Sequence, residues 1–149
     1  MDVRIRIGVS KDSEELLKLA DELIHLDNWS GREVMLEKSL RDPEYKIYVA
    51  EVDGSIVGFI ELRVFSDFVE GAPLAIVQNL LVDKNHRNLG IGGRLLLMAI
   101  EEAKKRDVLE LHVWTESRNS QAIDFYTKHG FKERALLLEK EICAACAES

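Results

Sequence analysis

The chain has 149 residues, 46% of them hydrophobic and 32% charged, enough for one well-filled core and too ordinary a balance for a disordered or fibrous protein. The formal net charge of −7 sets aside broad nucleic-acid binding, which needs a basic surface. No apolar run nears the roughly 20 residues of a membrane span, and no apolar leader follows Met1-Asp2-Val3-Arg4. The reading is a single domain over residues 1–149, soluble and cytoplasmic, with neither nucleic acid nor membrane as a partner.

Taken in order, Arg4 to Val9 alternates as a short strand. Leu16, Leu17, Ala20, Leu23 and Ile24 recur at helical spacing, which predicts an amphipathic helix from Asp12 to about Leu26. A second helix is expected over Arg32 to Leu40, stopped by Asp42-Pro43. Lys46–Val52 and Ile56–Val64 read as strands joined by Asp53-Gly54, a two-residue hairpin signal. Phe65 to Gly71 reads as a polar loop, and Ala75–Val82 as a strand apolar enough to lie in mid-sheet. After it come a helix from Ile91 to about Arg106, a strand over Leu109–Thr115 and a helix that opens at Asn119 and closes at Gly130. Phe131 to Ile142 is expected to form a final strand or strand pair. The middle strands come as hairpins, so the order β-α-α-β-β-β-α-β-α-β implies an α/β (α+β) fold with a mixed central sheet flanked by about four helices, and not a doubly wound one. Val82 to Leu109 would be a right-handed strand–helix–strand unit.

The stretch with the most chemistry is Arg87-Asn88-Leu89-Gly90-Ile91-Gly92-Gly93-Arg94, between the mid-sheet strand and a helix N-terminus. The first turn of a helix has amides with no internal partner and the positive end of the helix dipole. Without side chains at Gly90, Gly92 and Gly93 an anion can come close to those amides, with Arg87 and Arg94 at the flanks. The physical reading is an anion site, suited to a phosphate or pyrophosphate. It is not a P-loop, which needs Gly-Lys-Ser/Thr, nor the Rossmann fingerprint, because Leu95 stands where a third glycine belongs.

The spacing Arg87-x-x-Gly90-x-Gly92, preceded by Leu80-Leu81-Val82-Asp83, resembles the acetyl-coenzyme A signature of the GNAT superfamily of N-acetyltransferases, Arg/Gln-x-x-Gly-x-Gly/Ala. Further on, Asn119, Ala122, Tyr126, Gly130 and Phe131 match that family's second pattern, Asn-x-x-Ala-x-x-x-Tyr followed by Gly-Phe. The element order is also that of the GNAT-type acyl-CoA N-acyltransferase fold.

The resemblance implies direct attack of a primary amine on acetyl-CoA, with no acyl-enzyme and no metal. Gly90 and the amides of Ile91, Gly92, Gly93 and Arg94 would hold the pyrophosphate, with Arg87 and Asn88 beside it. Leu80, Leu81 and Val82 would pair with the pantetheine arm, an N–H near Leu81 polarising the acetyl carbonyl, at a place where the strands splay or bulge. Asn119 would contact the cofactor or cap its helix. Tyr126 would meet the cofactor and serve as general acid. Many family members carry a glutamate base on the central strand where this chain has Gln78, so Glu61 on the neighbouring strand is the first substitute. Glu70, Asp67, His25 and Asp27 rank behind it, and His112 reads as structural.

Two other readings stay open: a module that binds acyl-CoA without transfer, and a transferase for a longer acyl group. The acceptor is undecided among polyamines, amino acids, aminoglycosides and protein amines, with Asp67 and Glu70 tilting toward a small cationic amine. A homodimer is compatible with the family. Cys143 and Cys146 form a Cys-x-x-Cys without further metal ligands nearby, and read as an incidental tail pair.

Overall fold

Asp53 (φ 50°) and Gly54 (φ 82°) close the hairpin as the sequence predicts. They join β2 (Tyr45–Val52) to β3 (Ser55–Asp67) in a computed structural model that describes residues 1–143. Cys146 lies outside those residues.

The remaining elements are β1 (Val3–Ile7), α1 (Ser13–Leu23), α2 (Ser30–Arg41), β4 (Ala72–Val82), α3 (Ile91–Lys105), β5 (Leu111–Val113) and α4 (Ser120–Lys128). One sheet runs β1-β2-β3-β4-β5 in chain order, and β1 to β4 are antiparallel. Leu109 N–H donates to Pro73 O at 2.9 Å and Ala75 N–H to Glu110 O at 3.0 Å, so residue numbers rise together on the two chains. The β4–α3–β5 unit is therefore parallel and the sheet mixed, as expected.

The described chain forms two compact units, Met1–His112 and the segment from Val113 onward. In the first, alternation along β2 splits the side chains between two faces. Ile47, Val49 and Phe59 pack with Leu16 and Leu19 of α1, and Leu36 and Leu40 of α2 lie against that cluster. On the other face Tyr48 Oη donates to Glu102 of α3 at 3.1 Å, and Leu95, Leu96 and Ala99 are fully buried. Burial and the Glu102 carboxylate together push the Tyr48 phenol well up. Among the described residues no helix is long and apolar enough to cross a membrane.

The structure shifts several expected boundaries. Helix α1 ends at Leu23 instead of Leu26, because the Asp21 carboxylate takes the Leu26 N–H at 3.0 Å and draws the chain off the helix. The predicted loop from Phe65 shrinks to a turn. Asp67 Oδ1 accepts from the amides of Val69 and Glu70, both at 3.0 Å, so β3 reaches Asp67 and β4 starts at Ala72. The strand expected over Phe131–Ile142 is absent. Leu136, Leu137 and Leu138 are all exposed, and their run is consecutive where a one-faced strand needs alternation.

Two positions in this unit carry clear stability predictions. A Cβ at Gly58 would lie 2.9 Å from Leu81 O and 3.3 Å from Leu95 Cδ1, so β3 needs glycine to meet both β4 and α3. Gly58→Ala is expected to cost about 1–3 kcal/mol, read as a fall in melting temperature. Asp12 is only 4% exposed and accepts both Nη groups of Arg6, at 2.8 and 2.9 Å, and the Val9 N–H at 2.8 Å. The Arg6 hydrogen bonds hold its carboxyl below the usual carboxylate range. A depressed folded-state pKa contributes stability above the unfolded value of ~3.9, and that stability is lost as pH falls through the folded value. Arg6→Ala is expected to lower the melting temperature at pH 7 by about 5–10 °C, from a cost of about 2–3 kcal/mol. Thermal melts from pH 7 down to pH 2 should show this deficit closing as Asp12 protonates.

Candidate active site

The N-cap of α3 is Gly90, whose φ of 80° only glycine adopts without strain. Asn88 is also left-handed, at φ 62°. The side chain of Ile91 is buried (1% exposed) and pins the helix start to the core, while Arg94 lies outward. The first intrahelical bond is Arg94 N–H to Gly90 O at 3.2 Å, which leaves the amides of Ile91, Gly92 and Gly93 without intrahelical acceptors. With the dipole and two flanking arginines, these residues fit a bound anion such as a pyrophosphate. Arg87 is also tied back, its Nε donating to Val82 O at 2.9 Å.

Upstream, β4 carries a bulge, two residues before the Leu80–Val82 stretch where the sequence reading expected a splay or bulge. Glu61 faces Asn79, but Leu62 faces Val77, so Gln78 is the extra residue without a partner on β3. Leu80, Leu81 and Val82 pair normally with Ile60, Phe59 and Gly58. Strand β5 is three residues long against eleven in β4, and its pairing begins at the N-terminal end of β4. The stretch holding Leu80–Val82 thus runs on past it.

The bulge sets Asn79 against Glu61. Asn79 Nδ2 donates to Glu61 Oε2, and Tyr45 Oη donates to Oε1 at 2.9 Å. The half-buried Glu61 is therefore a held carboxylate and not a solvated strand-face one. Burial, with the Glu61 charge beside it, pushes the Tyr45 phenol far up, so Tyr45 acts as a donor. Glu61, Asn79 and Tyr45 line a cavity of about 240 Å³ whose other walls are α1, α2, Ile47 and Phe59.

The weaker base candidates lie elsewhere. Asp67 caps its turn and Glu70 is exposed in it. His25 pairs with Asp21 at 2.8 Å and Asp27 at 3.3 Å, and His112 with Glu110 at 3.1 Å. None of these lines the cavity.

Asp21 also escaped the sequence reading. Its Oδ1 accepts from Leu26 N–H, Trp29 Nε1 at 3.2 Å and Arg32 Nη1 at 3.3 Å, tying together the α1–α2 connection, from which Ile24 and Arg32 line the cavity. His25, then the Leu26 amide, pull its carboxyl down to about 2.

In the second unit, Asn119 is the N-cap of α4, its side chain accepting from Ala122 N–H at 3.1 Å. Phe131 N–H returns to Tyr126 O at 3.1 Å and Gly130 N–H to Thr127 O, closing the helix. Tyr126 is 9% exposed and packed edge-on by Phe125 and Phe131. Burial pushes its phenol up to about 12.

Residues 13–131 match the model of the acetyltransferase (GNAT) family. An N-alpha-acetyltransferase of Sulfurisphaera tokodaii is 31% identical over 143 residues, covering 91% of this chain and 84% of that protein. An uncharacterized N-acetyltransferase of Methanocaldococcus jannaschii is 33% identical over 99 residues, 66% of this chain; the match spans only 44% of that relative. Among solved structures, the aminoglycoside N-acetyltransferase AAC(6')-Iy in complex with CoA superposes with a TM-score of 0.85 at 18% identity, covering 95% of this chain and 96% of that one, a likeness of fold. The chain belongs to the acetyltransferase (GNAT) family, whose members are enzymes of acyl transfer.

Proposed function

We propose that the protein moves an acetyl group from acetyl-CoA to a primary amine by direct attack. The observation that carries this is the layout of β4: a bulge seating Asn79 against Glu61 beside a cavity, and an anion-ready turn just past the strand's end. The CoA in the AAC(6')-Iy structure and the name of the Sulfurisphaera relative support donor and acceptor class. When bound, acetyl-CoA supplies an activated carbonyl and a thiol leaving group.

Gly90 and the amides of Ile91, Gly92, Gly93 and Arg94 bind the pyrophosphate, with Arg87 and Asn88 at its side. Leu80–Val82 offer backbone groups as to an added strand, and the N–H near Leu81 is the donor for the carbonyl oxygen. An ammonium has no lone pair and amine pKa values lie near 10, so Glu61 accepts the proton that the amine must lose.

Tyr126 holds a proton on Oη, which makes no hydrogen bond among the described residues. At about 12 it stays protonated at every working pH. It lies far above a thiol at ~8.5, so it serves the departing sulfur chiefly as a hydrogen-bond donor. Tyr126→Phe is expected to lower kcat about tenfold to a hundredfold, the worth of one hydrogen bond to a charged group.

The test is thiol release from acetyl-CoA with a panel of amines, beside calorimetry of coenzyme A. Turnover with at least one amine supports the reading. Coenzyme A binding with no turnover on any amine favours the binding module. No coenzyme A binding overturns it.

A further inference from the structure

We propose that the acceptor is a primary monoamine on an apolar body, its ammonium on Glu61 and its body in the cavity beneath α1 and α2. The inference rests on the amine-acetyltransferase reading above and names its substrate class.

Most of the cavity wall is apolar, with Ser39, Tyr45 and Asn79 as its uncharged polar groups. Ile47 and Phe59 form the sheet side, and Leu16, Leu17, Met35 and Leu36 the helix side. Among the described residues, two charged side chains reach it, Glu61 and Arg32. Arg32 is committed to the protein: Nη2 donates to Ile24 O at 2.7 Å and Nη1 to Asp21 at 3.3 Å. One carboxylate therefore remains for one ammonium. A second ammonium further along the ligand would sit unpaired against hydrocarbon, which is costly. This weighs against polyamines and aminoglycosides. The volume, about 240 Å³, is below the ~300–1,000 Å³ of drug-sized sites, so the body has the size of an amino-acid side chain. Asp67 and Glu70 do not line this cavity.

The experiment is calorimetric titration of the whole chain, with and without coenzyme A, using propyl-, butyl-, pentyl- and hexylamine, 2-phenylethylamine and spermidine. Burial of each methylene should tighten binding about fourfold along the alkyl series. 2-Phenylethylamine should bind at least tenfold more tightly than spermidine. Met35, on α2, is 55% exposed, so Met35→Glu should fold normally. In that variant the methylene series should flatten and spermidine should gain. A flat series in the parent protein, spermidine binding as tightly as hexylamine, or no monoamine binding with or without coenzyme A each overturns the proposal. Thiol release is scored separately. A methylene-dependent series without acetyl transfer keeps this pocket and sinks the transferase reading; transfer that prefers spermidine does the reverse.

Discussion

Glu61→Gln is expected to lower kcat/KM about 10²–10³-fold at pH 7, within the range for removal of a general base. The substitution keeps the shape of the side chain. An amide can turn its oxygen to Asn79 Nδ2, and Tyr45 Oη can rotate to accept from the new NH₂ group, so the bulge and cavity should persist. What is lost is an acceptor for the amine's proton. Without it, turnover must wait for free amine, which falls about tenfold for each pH unit below ~10. The deficit should therefore be large near pH 7 and shrink as pH approaches 10. A structural role for Glu61 would give a deficit of equal size at every pH. A rescue experiment sharpens the distinction. Gln78 occupies the bulge next to Asn79, so Gln78→Glu placed on Glu61→Gln returns a carboxylate to the neighbourhood and should recover part of the lost rate. Retention of activity within about twofold in Glu61→Gln alone would refute the assignment, since general-base loss is worth far more.

What could be read from the chain beforehand divides by range. The anion turn is local. Gly90, Gly92 and the flanking arginines lie within eight residues of one another, and the conformational demand at Gly90 is visible in the residue type itself. The caps of α4 are equally local: Asn119 and Gly130 do what such residues do at helix ends. Glu61's surroundings are not local. Its two partners come from two other strands, and Asn79 reaches it only because β4 has an extra residue at Gln78. No pattern in the apolar run Ala75–Val82 announces a bulge, since the strand is apolar on both sides of it.

Tyr45 was more accessible. Counting back along the hairpin from Asp53-Gly54 places it within two residues of Glu61, and the β2–β3 bulge at Ala50/Glu51 moves that register by only one. Asp21 and Asp12 look like ordinary acids in an amphipathic helix and a cap. Their roles depend on where Arg32, Trp29 and Arg6 arrive after folding. The expected C-terminal strand fails for the opposite reason. Leu136–Leu138 supply apolar residues, but a strand also needs a neighbour to accept its backbone groups, and sequence composition cannot provide one.

Gly93→Glu is expected to raise stability while abolishing coenzyme A binding. Gly93 is the third residue of α3. By helical rotation it stands near the exposed Leu97, whereas Gly92 shares the face of the buried Leu96, Ala99 and Ala103. A side chain at Gly93 can therefore leave the core undisturbed. Glutamate is a better helix former than glycine, and a carboxylate in the first turn favours the dipole; together these contribute about 0.5–1.5 kcal/mol. That carboxylate would occupy the amides of the turn and repel an incoming pyrophosphate, so coenzyme A affinity should fall at least about a hundredfold, or ~2.7 kcal/mol. A melt and a titration on one preparation decide the matter. Higher melting temperature with lost binding identifies the turn as an anion site kept glycine-rich at the expense of helix stability. Higher melting temperature with binding intact would move the pyrophosphate elsewhere, while a lower melting temperature would show that Gly93 is held to glycine by packing.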